Sequence, residues 1–333
     1  GENDGTSWAD AFVYLQDALA VAGRGDRVRV AQGLYKPDQG VGFSPGDRDA
    51  RFLLVNGVTL AGGYAGLTGT DPNERDIDRY ETILSGDLDG DDGPDFSNMD
   101  DNSRIVVASL SSDATTILDG FTITGGWGYS GSGVTCLASD LRMERCTVVH
   151  NKTMSSTGNG AGMYSSGGSP VLKACVFRNN FTWDSGGGLW GKDGDLTFVD
   201  CLFEGNKAEH DGCGVCFRNG VLKLERCTFR GNEAFDGGGM HAEPSDGSTC
   251  IESFFIENTA NRNNPFEGSG GGVLIGGAGS SMAFHRCLFE RNYAPEGGGL
   301  NHTSGVLNRN VLALTRCLFR DNNAGQGGAL STR

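Results

Sequence analysis

The sequence has no apolar run long enough to cross a bilayer, and no charged and apolar leader at Gly1. A transmembrane helix is therefore excluded, and any targeting signal is expected to have been removed or left outside the chain. An excess of positive charge is also lacking. With 42 acidic against 27 basic residues the net charge is −15, so a phosphate backbone would be repelled and no nucleic-acid partner is expected. The 55 glycines have no three-residue period, which excludes collagen, and hydrophobic positions recur between glycine clusters, which argues against disorder. Cys213 and Cys216 form a lone CxxC with no second pair to complete a zinc site. What remains is a folded chain of 333 residues, and its glycine content favours one elongated domain.

The chain repeats itself. A Cys-x-Phe/Val-x-x-Asn pattern joins Cys146 to Asn151, Cys175 to Asn180, Cys201 to Asn206, Cys227 to Asn232, Cys287 to Asn292 and Cys317 to Asn322. Ser253 with Asn258 fills the one gap. Three residues before each anchor stands Met143, Leu172, Phe198, Leu224, Cys250, Phe284 or Leu314. Each repeat then carries a small-residue cluster ending in an aliphatic residue, as in "GAGM", "GGGL" and "GGGV". Successive anchors lie 29, 26, 26, 26, 34 and 30 residues apart, a period that marks a solenoid; the 34-residue step fits a longer loop in "ENTANRNNPFEGSGGG".

The element type follows from "VLKLERCTFRGN", where Leu222 and Leu224, then Cys227 and Phe229, alternate across a bend. That pattern reads as two short strands, which makes the chain an all-β, right-handed parallel β-helix with like residues stacked about 4.8 Å apart. The asparagines are expected to form an amide ladder at a left-handed turn, and the glycine triplets a tight corner. In "LDGFTITGG", Phe121 takes the anchor position and Gly126 the asparagine position. The anchor cysteines read as an inward stack of thiols acting as small hydrophobes. Charges of alternating sign, Arg178, Glu204 and Arg230 in one column and Asp200, Arg226, Glu252 and Arg286 in another, read as outward salt-bridge ladders.

The amino-terminal end differs. "TSWADAFVYLQDALAVAGRGD" places Trp8, Phe12, Leu15 and Leu19 at helical spacing, so residues 1–26 are expected to form a helical cap on a β-helix of residues 27–333. Regular coils begin at about residue 118. At the other end, "GGALSTR" reads as an uncapped strand, which raises the expectation of end-to-end self-association. In "GDLDGDDGPD" the carboxylates Asp87, Asp89, Asp91, Asp92 and Asp95 suggest a loose calcium site; the glycine falls one place late for an EF-hand, and Asn98 replaces its bidentate Glu. The residue after each glycine-corner aliphatic is expected to face outward. That column contains Thr135, Tyr164, Trp190, Cys216, His241, Leu274 and Asn301, with Trp183 in the approach loop. Tyr164, Trp183, Trp190 and His241 are thus the glycan-contact candidates.

The repeated "FRNN", "FEGN", "FRGN" and "FERN", with "GGGL", "GGGM" and "GGAL", resemble the FxxN and GGA[ILV] repeats of the polymorphic outer-membrane proteins. The leader "GTSWADAFVYLQDAL" and "ATTILDGFTITGG" look like bacterial secreted β-helix repeat proteins. The resemblance implies a secreted or cell-surface adhesin whose partners are surface or matrix glycans or proteins. The reading is therefore a noncatalytic extracellular module for adhesion, surface architecture or glycan contact, with no catalytic residue assigned. The alternative is a polysaccharide lyase, although the Asn-Thr-Asp and Gly-His-Gly segments of polygalacturonases are absent.

Overall fold

A computed structural model describes residues 2–261, 267–303 and 311–332. Three ten-stranded sheets run the length of the described residues and a fourth, of six strands, extends only from Trp127–Gly128 to Thr259–Ala260, with strand neighbours one coil apart in sequence. The first sheet runs from Arg27–Ala31 to Val311–Thr315, the second from Gly33–Tyr35 to Leu318–Arg320, and the third from Phe52–Leu53 to Leu330–Thr332. The chain is therefore a parallel β-helix.

One coil shows the plan. Leu222–Glu225 lies in the first sheet, Thr228–Arg230 in the second, Glu233–Ala234 in the fourth and Met240–Glu243 in the third. Inward side chains alternate with outward ones, so Leu222, Leu224, Cys227, Phe229, Met240 and Ala242 are buried in one continuous core. The phenylalanines two residues after the anchors stack: Phe177 on Phe203, Phe203 on Phe229, Phe229 on Phe255 and Phe255 on Phe289, with centroids 4.8–5.1 Å apart. Parallel pairing in register brings identical residues to strand spacing and holds the rings in offset stacks.

The asparagine ladder is continuous. From Asn151 through Asn180, Asn206, Asn232, Asn258 and Asn292 to Asn322, each Nδ2 donates to the next Oδ1 at 2.9–3.1 Å. That oxygen also accepts the backbone N–H of the preceding asparagine, as from Asn206 to Asn232 at 3.1 Å. The Gly126 N–H donates to Asn151 Oδ1 at 2.9 Å, which extends the ladder into the glycine-substituted coil. One detail differs from expectation: the left-handed residue is the one before the asparagine. His150, Asn179, Gly205, Gly231, Glu257, Arg291 and Asp321 all have φ between 51° and 62°. The residue before each anchor is left-handed too, at Arg145, Ala174, Asp200, Arg226, Glu252, Arg286 and Arg316. These corners point their side chains outward, where ion pairs such as Arg226 Nε to Asp200 at 2.6 Å and Arg286 to Glu252 at 2.7 Å link neighbouring coils.

The cap helix is shorter than its sequence pattern. It spans Leu15–Val21, with Leu15 and Leu19 in the core. Upstream, side chains claim the backbone donors that a helix would use: Asp4 accepts the Thr6 N–H at 2.9 Å and Asn3 accepts the Val13 N–H at 2.9 Å. Trp8 instead packs against Tyr64, with centroids 5.8 Å apart. The longer loop expected after Glu257 includes residues 262–266, which lie outside the described residues.

Candidate functional site

The column after the glycine corner forms as the spacing requires. Thr135 pairs with Tyr164, Tyr164 with Trp190, Trp190 with Cys216, Cys216 with His241, His241 with Leu274 and Leu274 with Asn301. The Tyr164 and Trp190 rings stack with centroids 4.8 Å apart and planes 14° from parallel. The column is nevertheless not an exposed platform. Trp190 is 9% exposed, His241 8% and Cys216 0%. The cause is the corner itself: Gly160, Gly186, Gly212 and Gly237 adopt φ of 54–72° and fold the approaching backbone over the sheet face. A Cβ on Gly186 would stand 2.7 Å from Trp190 Cβ. Strand alternation assigns a side chain to the outer face but does not say what lies over that face.

Trp183 is placed differently. It is 42% exposed and follows the fourth-sheet strand Phe181–Thr182. Its ring meets Phe181 edge-on, with centroids 4.9 Å apart. The Lys152 ammonium lies 5.4, 5.6 and 5.9 Å from the ring centres of Phe96, Phe181 and Trp183. In the fourth sheet Trp127, Lys152, Phe181, Lys207, Glu233 and Thr259 pair in sequence. Tyr129, 63% exposed, follows Trp127–Gly128, and Phe235, 37% exposed, follows Glu233–Ala234. Exposed rings with interleaved lysines thus line one side of the solenoid. Sequence reading missed Phe96, Lys152 and Phe181: Lys152 and Phe181 open strands of only two residues and differ in type, and Phe96 stands outside the sheets in the short 3-10 turn Pro94–Phe96.

The acidic loop adjoins this face through Phe96, whose ring lies 6.2 Å from Phe181 and 6.1 Å from His150. Within the loop, oxygens of Asp87, Asp91 and Asp101 lie within 4.8 Å of one another. Of the five expected carboxylates, Asp87 and Asp91 belong to this trio, and Asp101 joins from the far end of the loop. Asp87 Oδ1 accepts the Gly90 N–H at 2.6 Å, curling the chain around the site, and Asp101 Oδ2 accepts the Asp89 N–H at 2.8 Å. Asp92 instead accepts from the Asn102 amide at 2.8 Å. Burial, with the neighbouring Asp87, Asp101 and Asp91 charges, pushes the Asp92 carboxyl up to about 6. Asp95 sits in an exposed turn at φ 57°. Three clustered carboxylates suit a hard cation with oxygen ligands.

The arginine columns have partners. Glu204 divides its oxygens between Arg178 and Arg230, each Nε at 2.9 Å. His241 lies 3.4 Å from Asp211 through Nδ1 and 3.9 Å from Glu243 through Nε2, with Arg218 close to both acids. Burial pushes the Asp211 carboxyl up, but His241 and Arg218 outweigh it and hold that carboxyl below the usual range. Asp236, its neighbour one coil on, is pushed up by burial.

These features define an all-β parallel solenoid bearing an aromatic and lysine face beside an acidic loop. Comparison with family models, curated proteins and solved structures gives no match.

Proposed function

We propose that this β-helix is a noncatalytic, extracellular or cell-surface module that contacts polysaccharide through its fourth-sheet face. The carrying observation is the exposed Trp183, set edge-on against Phe181 with Lys152 beside both rings. Sugar rings present C–H faces that stack on aromatic rings, and the lysine charge adds attraction for carboxylate or sulfate substituents. A rigid solenoid holds such rings at fixed spacing, which lowers the ordering cost of binding an extended chain. Calcium in the Asp87, Asp91 and Asp101 loop would fix the position of Phe96 on this face. Electrophoresis in gels containing neutral, uronate-rich or sulfated polysaccharides tests the reading, with Trp183→Ala as the comparison.

A polysaccharide-cleaving enzyme is the second reading. The cluster of Asp211, His241 and Asp236 favours it, because neighbouring carboxyls held apart in proton affinity suit acid and base roles. Unsaturated product followed by absorbance, with Asp211→Asn as control, tests lyase activity.

A further inference from the structure

Most anchor thiols share one local arrangement. Each sulfur points to a carbonyl of the preceding coil: Cys146 to Leu118 at 3.5 Å, Cys175 to Met143 at 3.4 Å, Cys201 to Leu172 at 3.4 Å and Cys287 to Cys250 at 3.3 Å. In one coil the residue types are exchanged. Ser253 takes the anchor position, its hydroxyl accepting the Cys227 N–H at 3.0 Å and donating to the Ile251 carbonyl at 2.9 Å. The cysteine of that coil is Cys250, three residues earlier, in the column of Leu224 and Phe284. Its side chain therefore comes from a different column than that of Cys287. The two sulfurs stand 3.7 Å apart, and both residues are buried, at 0% and 2% exposure.

We propose that Cys250 and Cys287 form a redox dithiol that closes to a disulfide with a glutathione-class disulfide as oxidant. Anchor cysteines stacked on one another have parallel side chains, which oppose the disulfide dihedral, whereas this pair meets across columns. One thiolate attacks the glutathione disulfide, giving a mixed disulfide and one reduced glutathione; the second thiolate then displaces the other. The two thiol protons pass to the two displaced glutathione thiolates, so two protein thiols become one disulfide as the oxidant becomes two reduced glutathiones. The side-chain contact with Cys250 holds the Cys287 thiol below the usual range, which favours Cys287 as the first attacker. Burial blocks attack in the closed solenoid, so the exchange takes place during folding or when these coils open.

The experiment is refolding from urea in a reduced and oxidised glutathione buffer, then alkylation under denaturing conditions, digestion and mass mapping. The expected product links Cys250 to Cys287, two hydrogens lighter, while Cys146, Cys175, Cys201 and Cys227 carry the alkylating group. Cys250→Ala and, separately, Cys287→Ala are expected to abolish the link; the parent map decides the matter if neither variant folds. Alkylation of both Cys250 and Cys287 in the parent, or links spread equally among anchor cysteines, overturns the proposal.

Discussion

The Asn206 side-chain amide donates to Asn232 Oδ1 at 3.0 Å, and the same oxygen takes the Asn206 backbone N–H at 3.1 Å. Asn206 Nδ2 also reaches the Phe177 carbonyl at 2.9 Å. In a buried site, Asn206→Leu removes the amide that reaches that carbonyl and the acceptor of the Asn180 N–H, and leaves Asn180 Nδ2 only the Val148 carbonyl. The expected loss is about 2 kcal/mol or more, read from urea unfolding. An unchanged midpoint would show that the ladder contributes nothing to stability.

The charged ladder is expected to behave differently. Glu204 meets Arg178 and Arg230 at a surface where both arginines are about half exposed. Glu204→Ala should cost about 1 kcal/mol or less, because exposed pairs are screened by solvent. A loss equal to that of Asn206→Leu would contradict this ranking.

Glycine positions divide by what surrounds them. A Cβ on Gly188 would stand 2.5 Å from the Gly214 carbonyl and 3.2 Å from Asn206 Nδ2, whereas one on Gly231 meets nothing within 4 Å. Gly188→Ala is expected to cost about 2 kcal/mol or more through overpacking, and Gly231→Ala about 1 kcal/mol through its left-handed backbone. Thermal midpoints of the two variants provide the check, and the reverse order would contradict the corner packing.

The repeats were legible because their columns are nearly uniform: the cysteine, phenylalanine and asparagine positions each occur at one point on the coil. The fourth sheet was not, since its column reads Trp127, Lys152, Phe181, Lys207, Glu233 and Thr259, and no residue type repeats from one coil to the next. The left-handed corners were hidden because ion-pairing residues such as Arg226 and Glu252 occupy positions where glycine or asparagine would announce the turn. The acidic run "GDLDGDDGPD" was visible, but Asp101 reaches the cluster only because the loop returns on itself. The burial of Trp190 depends on backbone laid across the strand, which alternation does not encode.

Calcium is expected to bind through Asp87, Asp91 and Asp101. Chelation should lower the thermal midpoint, since a ligand bound only to the folded state stabilises it by mass action. Asp101→Asn should reduce the heat of calcium titration while Asp95→Asn leaves it unchanged. Equal heats for both variants, or none for the parent, would remove the site.

Polysaccharide contact through the fourth-sheet face is tested most directly by comparing the parent, Trp183→Ala and Trp190→Ala in polysaccharide-containing gels, with thermal midpoints measured alongside. The parent should be retarded by at least one polysaccharide of the panel, and Trp183→Ala should migrate freely with an unchanged midpoint. Trp190→Ala should lose about 3 kcal/mol of stability, as a buried ring does, and its folded fraction should still be retarded. A parent that migrates freely in every gel, or a Trp183→Ala protein retarded as strongly as the parent, would contradict the account.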